Sequence, residues 1–238
     1  MLEKNYEKEE LIDIIDNNIN NKINDIQEVE KTICEFKDNL GNELKGIGFF
    51  IKIPYKDKYI RLLLTCNHIK AIEDNNDEIN FFIEKNKKNL LLKEGRTKFQ
   101  SDKKNLDYTC IQILKEDKIN NFFKIDEKIL NDNYSLEGRK PIKILNKNLG
   151  LSNIDLIDEG DKEKINNIEN NFIYFKYTNE VGYSGCPILD KENLVIGIHK
   201  GSENFDDNKK INSGVLLKYI IKDIFDEIDK YDENKKKL

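Results

Sequence analysis

The chain has 238 residues, of which 38% are hydrophobic and 36% charged, and a formal net charge of −5. That length suits one large domain or two small ones, and all-β units of this size commonly fold as a single body. Lysine and arginine are scattered, which argues against a nucleic-acid footprint, and no stretch has the apolar length that spans a membrane.

The polar excess is mostly Asn, Lys, Asp and Glu, spread between strong apolar runs, so disorder of the whole chain is not expected. The start, Met1-Leu2-Glu3-Lys4, lacks the apolar core of a secretory signal. Four cysteines (Cys34, Cys66, Cys110, Cys186) show no CxxC pairing and no metal-ligand spacing. Reduced thiols in a cytoplasmic protein, with no metal and no cofactor, are the expectation.

Taken in chain order, residues 5–29 place Leu11, Ile12, Ile15, Ile19, Ile23 and Ile26 near helical spacing with charged residues between, which predicts an amphipathic helix. The period then changes. Thr32–Phe36, Gly46–Pro54 and Tyr59–Cys66 read as strands, followed by candidates at Ile79–Ile83, Asn89–Leu92 and Tyr108–Leu114. In the second half Pro141–Leu145, Phe172–Tyr177, Pro187–Leu189 and Leu194–Ile198 are strand-like. From Val215 the helical period returns through Leu216, Leu217, Ile220, Ile221, Ile224, Phe225 and Ile228, ending in a solvated lysine run. Many short β segments with Asn, Asp and Gly punctuation predict a sandwich or barrel. No Pro/Gly/Ser-rich linker divides the β halves, so a boundary near residues 117–135 would be a seam between packed barrels.

The stretch Gly182-Tyr183-Ser184-Gly185-Cys186-Pro187 carries the chemistry. Small residues on each side of one serine let the backbone turn tightly. The N–H groups of Gly182 and Ser184 can then form an oxyanion hole for a tetrahedral intermediate. Such a turn alone is also compatible with an ordinary Gly-rich connection between strands. A histidine and a carboxylate in suitable context strengthen it. His68 follows the apolar strand Leu-Leu-Leu-Thr-Cys-Asn-His, and Asp107 opens Asp-Tyr-Thr-Cys-Ile-Gln-Ile. The order His, Asp, Ser is one of the known orders of a serine triad. Asp102 and Asp117 are rival carboxylates, but neither immediately precedes an apolar strand.

These segments resemble the trypsin-like (chymotrypsin-fold) serine peptidases, and among them the disulfide-free intracellular and bacterial branch. Gly46-x-Gly48-Phe49-Phe50 resembles the first-barrel strand pair, and Thr65-Cys66-Asn67-His68 the Thr-x-x-His segment. Leu106-Asp107-Tyr108-Thr109 resembles the family's Asp-bearing strand, and Gly182–Pro187 its Gly-Asp/Asn-Ser-Gly-Gly-Pro turn. The match covers roughly residues 31–225.

The resemblance implies Ser184 as nucleophile, His68 as general base and acid, and Asp107 as the group that holds the imidazole. It also implies a specificity pocket. His199, in Gly197-Ile198-His199-Lys200-Gly201, resembles the histidine that contacts a P1 glutamate or glutamine in glutamyl endopeptidases, exfoliative toxins and picornaviral main proteases. Ser213 and Gly214 would line the opposite wall, with Asn179 and Thr178 standing where those relatives carry a threonine.

Two further departures matter. Tyr183 replaces the acidic residue that pairs with a newly cut N-terminus in pancreatic-type zymogens, so activation by that route is not expected. Cys186 stands where glycine is commoner, but the nucleophile position itself carries serine, which argues against a cysteine peptidase.

The expected fold is mostly β: two packed six-stranded-type antiparallel barrels with an N-terminal and a C-terminal amphipathic helix. The expected divisions are a helical segment over 1–30, a first barrel over 31–125 with His68 and Asp107, and a second over 126–238 with Ser184. The expected activity is that of a serine endopeptidase acting on protein or peptide substrates, with no nucleic-acid or membrane partner and an oligomeric state left open. The alternative is a catalytically silent module of the same fold serving as a protein-binding scaffold.

Overall fold

The computed structural model describes residues 30–37, 43–69, 77–92, 95–101, 106–131, 133–134, 136, 142–145, 151–156, 171–176, 183–206 and 209–236. The helix expected over 5–29 lies outside the described residues, as do Thr178, Asn179 and Gly182.

Seven strands form the first sheet. They are β1 (Ile33–Lys37), β2 (Leu44–Tyr55), β3 (Lys58–Cys66), β4 (Glu78–Ile83), β5 (Asn86–Leu91), β6 (Lys98–Gln100) and β7 (Tyr108–Gln112), in the order β5-β4-β1-β2-β3-β7-β6, all antiparallel. β2 sits at its centre. Its run Gly46–Ile51 is fully buried, which is why that stretch reads as continuously apolar rather than alternating.

Six more strands close into a barrel: β8 (Ile142–Leu145), β9 (Leu151–Leu156), β10 (Phe172–Lys176), β11 (Pro187–Leu189), β12 (Val195–Asp206) and β13 (Lys209–Leu216), in the order β10-β13-β12-β11-β8-β9. Closure removes the exposed strand edges that a small open sheet would present. Two curled antiparallel sheets followed by a C-terminal helix are the mostly β, chymotrypsin-like two-barrel arrangement.

The first sheet departs from the expected six strands. Residues 98–100 add a short strand in which only Phe99 is buried, too brief for the alternation to register in sequence. The edges β5 and β6 are not laddered to each other. Arg96 spans the gap instead: Nε donates to Leu91 O at the end of β5 (2.8 Å) and Nη1 to Gln112 O at the end of β7 (2.6 Å). Its guanidinium also forks onto Asp117 at 2.7 and 2.8 Å.

The segment between the sheets is stapled to both. Phe123 N donates to Phe50 O (2.8 Å), and Val195 N donates to Lys124 O (2.9 Å), giving parallel bridges Ile51↔Phe123 and Ile125↔Val195. The seam is therefore part of one continuous core, in which Phe49 and Phe123 meet edge to face at 6.0 Å.

The helix α1 (Leu217–Lys236) begins two residues later than the apolar period suggests, because Val215 and Leu216 are still paired with Ile198 and Gly197 of β12. It buries Leu217, Ile220, Ile221 and Ile224, one side of a 3.6-residue period. Each such side chain contributes about 1.5–3 kcal/mol when fully buried. The helix also reaches back to the first sheet, where Tyr108 Oη donates to Asp223 (2.7 Å) and Tyr55 Oη to Asp229 (2.6 Å). Among the described residues no helix is long and apolar enough to cross a membrane.

Candidate active site

His68 sits in the turn that ends β3, and Asp107 is the residue just before β7. The β3–β7 register places Cys66 opposite Tyr108, so the residues that follow one and precede the other must meet. Asn67 N donates to Asp107 O (3.0 Å), and Thr109 Oγ1 donates to Asn67 Oδ1 (2.9 Å), fastening the two turns side by side. Asp107 adopts φ 49°, a left-handed conformation that Asp tolerates better than most side chains.

The Asp107 carboxylate, 3% exposed, takes the His68 main-chain N–H at Oδ1 (3.1 Å) and stands 2.6 Å from His68 Nδ1 at Oδ2. A carboxylate only accepts, so Nδ1 carries the proton and Nε2 of the neutral ring is left as the acceptor. The His68 side chain is 32% exposed beside an Asp107 side chain that is 3% exposed. The rival Asp117 is committed elsewhere, to the Arg96 fork and to Leu114 N (2.7 Å). Asp102 lies outside the described residues.

Ser184 occupies the second position of a turn closed by Cys186 N donating to Tyr183 O (3.1 Å). Gly185 holds φ 91° at the third position, which a type II turn requires. A Cβ there would lie 1.8 Å from Ile47 O and 2.8 Å from Thr65 Oγ1, so no other residue fits. The turn belongs to the second barrel yet docks on the first sheet: Ile47 N donates to Ser184 O at 2.8 Å. Gly46 is the shared neighbour of both halves of the site. A Cβ on it would meet Ser184 O at 3.2 Å and the side chain of Ile69, the residue after His68, at 2.4 Å.

His199 lies on β12 opposite Gly214 of β13, is 2% exposed, and packs against Phe175 with ring centroids 5.7 Å apart. Its Nδ1 is 3.0 Å from Tyr183 O and its Nε2 3.3 Å from Asn212 Oδ1. Burial lowers its pKa from 6.5, assisted by the electrostatic coupling to His68 and opposed by the hydrogen bonds to Tyr183 and Asn212. The ring is therefore neutral near pH 7. Since the Tyr183 carbonyl can only accept, Nδ1 holds the single proton of the neutral ring. Ser213 is fully buried beside it.

Cys66, His68 and Asp107 bring three ligating atoms within 4.8 Å of one another. Their chemistry suits a metal poorly. Both carboxylate oxygens already serve His68, and burial pushes the Cys66 thiol well up while its S–H donates to His199 O at 3.2 Å. The Cys186 thiol is likewise fully buried and raised, which leaves it a packed S–H rather than a thiolate nucleophile.

Asn212, Thr65 and Cys66 were not marked by the sequence as site residues. Thr65 Oγ1 donates to Ile47 O (2.7 Å) beneath the Gly185 turn and the Cys66 thiol donates to His199 O, both contacts to backbone oxygens that carry no sequence signature, whereas Asn212 faces the His199 ring.

The sequence matches no family model and no curated protein. Several solved structures are similar. The astrovirus serine protease of a human pathogen aligns at 16% identity over 79% of this chain and 90% of that chain, with a TM-score of 0.47. The serine protease domain of the Sesbania mosaic virus polyprotein aligns at 14% identity over 80% and 90%, with a TM-score of 0.48. The serine endoprotease from Yersinia pestis aligns at 17% identity over 82% and 63%, with a TM-score of 0.49.

Proposed function

We propose that this chain is a serine endopeptidase that hydrolyses peptide bonds of protein substrates through Ser184, His68 and Asp107. The observation that carries the reading is the 2.6 Å contact between His68 Nδ1 and the buried Asp107 carboxylate, which leaves Nε2 as the ring's accepting nitrogen. In this reading Ser184 Oγ attacks the scissile carbonyl while Nε2 accepts its proton. Asp107 stabilises the resulting imidazolium, and the N–H groups of Ser184 and Gly182 receive the oxyanion. The imidazolium then protonates the leaving amine, and water, deprotonated by the same nitrogen, releases the acyl group from Ser184.

We infer a P1 pocket lined by His199, Ser213, Gly214, Thr178 and Asn179. With Nδ1 engaged by Tyr183, the edge of His199 left for a substrate is Nε2, which a P1 side chain reaches by taking the place of the Asn212 amide. A neutral Nε2 accepts a hydrogen, so glutamine suits it better than glutamate at neutral pH, and none of these five residues offers a carboxylate to lysine or arginine.

A fluorophosphonate probe tests the reading: it should label the wild type at Ser184, and Ser184→Ala should abolish both labelling and casein hydrolysis. A folded wild type that neither labels nor cleaves casein supports the scaffold alternative. Cleavage of a peptide library tests the pocket, and a wild-type profile dominated by Arg and Lys at P1 refutes it.

A further inference from the structure

The Tyr183–Cys186 turn is fastened to a single residue of β12. His199 N donates to Cys186 O (2.8 Å), His199 O receives Gly185 N (2.8 Å), and His199 Nδ1 meets Tyr183 O (3.0 Å). The first two are main-chain bonds that survive any replacement of the side chain. Only the third depends on the imidazole.

That third bond fixes a direction. The peptide between Tyr183 and Ser184 is planar and trans, so its C=O and N–H point opposite ways. Tyr183 O is drawn into the turn by Cys186 N at 3.1 Å and by His199 Nδ1 at 3.0 Å. The Ser184 N–H of the same peptide must therefore face outward. One hydrogen bond would leave the peptide free to tilt about its own axis, whereas a second from another direction removes that freedom. Tyr183 and His199 are both buried, so water is poorly placed to substitute for the ring if it is lost.

Resting on the serine-peptidase reading, we propose that His199 is a positioning residue for the oxyanion hole: its Nδ1–H pins the Tyr183 carbonyl and so aims the Ser184 N–H at the substrate's carbonyl oxygen. The role is separate from any contact with a P1 side chain, because it acts through the backbone of the nucleophile turn and operates on substrates that have no such side chain.

p-Nitrophenyl acetate is the probe that separates the two, since its acetyl group leaves the P1 pocket empty. Two variants cross donor capacity against packing. His199→Leu keeps most of the ring's volume against Phe175 but donates nothing, whereas His199→Asn is smaller yet can place an N–H near the position of Nδ1. The pre-steady-state acylation rate should fall about 10- to 100-fold in His199→Leu, the scale of a weakened oxyanion donor. His199→Asn should recover most of that loss with KM little changed, although it melts at the lower temperature of the two. Acylation of His199→Leu at the wild-type rate overturns the proposal. So does an Asn variant that is folded at the assay temperature and no faster than Leu. The underlying reading is checked separately, because acylation that persists in Ser184→Ala means that the nucleophile itself is misassigned.

Discussion

Asp107 grips His68 at two points, its Oδ1 taking the main-chain N–H at 3.1 Å and its Oδ2 standing 2.6 Å from ring Nδ1. A carboxylate that fixes backbone and imidazole together leaves the ring one orientation and one tautomer. Asp107→Asn keeps an oxygen for the main-chain N–H but turns an N–H toward Nδ1, so the imidazole must move its proton to Nε2. We expect kcat to fall by about 10⁴-fold with the fold retained. Steady-state kinetics beside a circular dichroism melt decides it; a variant within tenfold of wild type contradicts the assigned role.

Gly185 is the hinge on which the two sheets meet at the site. At φ 91°, with Ile47 O 1.8 Å from any added Cβ, Gly185→Ala must push the Ser184 turn off β2 or unfold it. The expected cost is several kcal/mol, at the upper end for single substitutions. Urea unfolding measures it, and a loss below about 1 kcal/mol would mean that the turn does not dock on Ile47 as described.

Arg96 and Asp117 are 6% and 9% exposed in their side chains, and the arginine that Asp117 holds ties the end of β5 to the end of β7. Removing one member leaves the other as a buried, uncompensated charge. Arg96→Ala should therefore destabilise by about 3–5 kcal/mol. Arg96→Lys should rescue little of this, because a point charge cannot fork onto the carboxylate while also reaching Leu91 O and Gln112 O. Chemical denaturation of both variants provides the comparison, and a lysine variant as stable as wild type would show the fork to be dispensable.

Much of this fold was legible in the sequence where burial is continuous. Gly46–Pro54, Tyr59–Cys66 and the apolar period of α1 announce themselves because packing dictates every residue. β6 and β9 carry no readable pattern: Lys98–Gln100 buries one side chain, and Leu151–Leu156 interleaves Ser, Asn and Asp, so their pairing is set by neighbouring strands. The β4–β5 hairpin was blurred for a different reason. Its turn puts Glu84 and Lys85 at φ 46° and 67° without the Asn or Gly that usually marks such a turn. At the site, His68 and Asp107 were readable because each abuts a strong strand. The hold of His199 on Tyr183 was not, since it runs from a side chain to a backbone oxygen, and a carbonyl has no sequence signature.

His199 also links stability to pH. Burial sets its folded pKa below the 6.5 of an exposed histidine, so the native ring stays neutral where the unfolded chain already binds a proton. Between the unfolded and folded pKa values the unfolded state binds more protons, and stability must rise with pH there. The stabilisation is thus fully present above about pH 6.5 and is lost progressively as the pH falls toward the folded value. One proton gives a slope of at most about 1.4 kcal/mol per pH unit. Glu227 acts in the opposite sense at lower pH, because burial raises its carboxyl from 4.5; its effect cancels when two proteins sharing it are compared. The comparison is wild type against His199→Asn, which does not titrate, by urea unfolding at half-unit steps from pH 5 to 8. The wild type should lose stability relative to the variant below about pH 6.5, and parallel curves throughout would show that the ring is not held neutral.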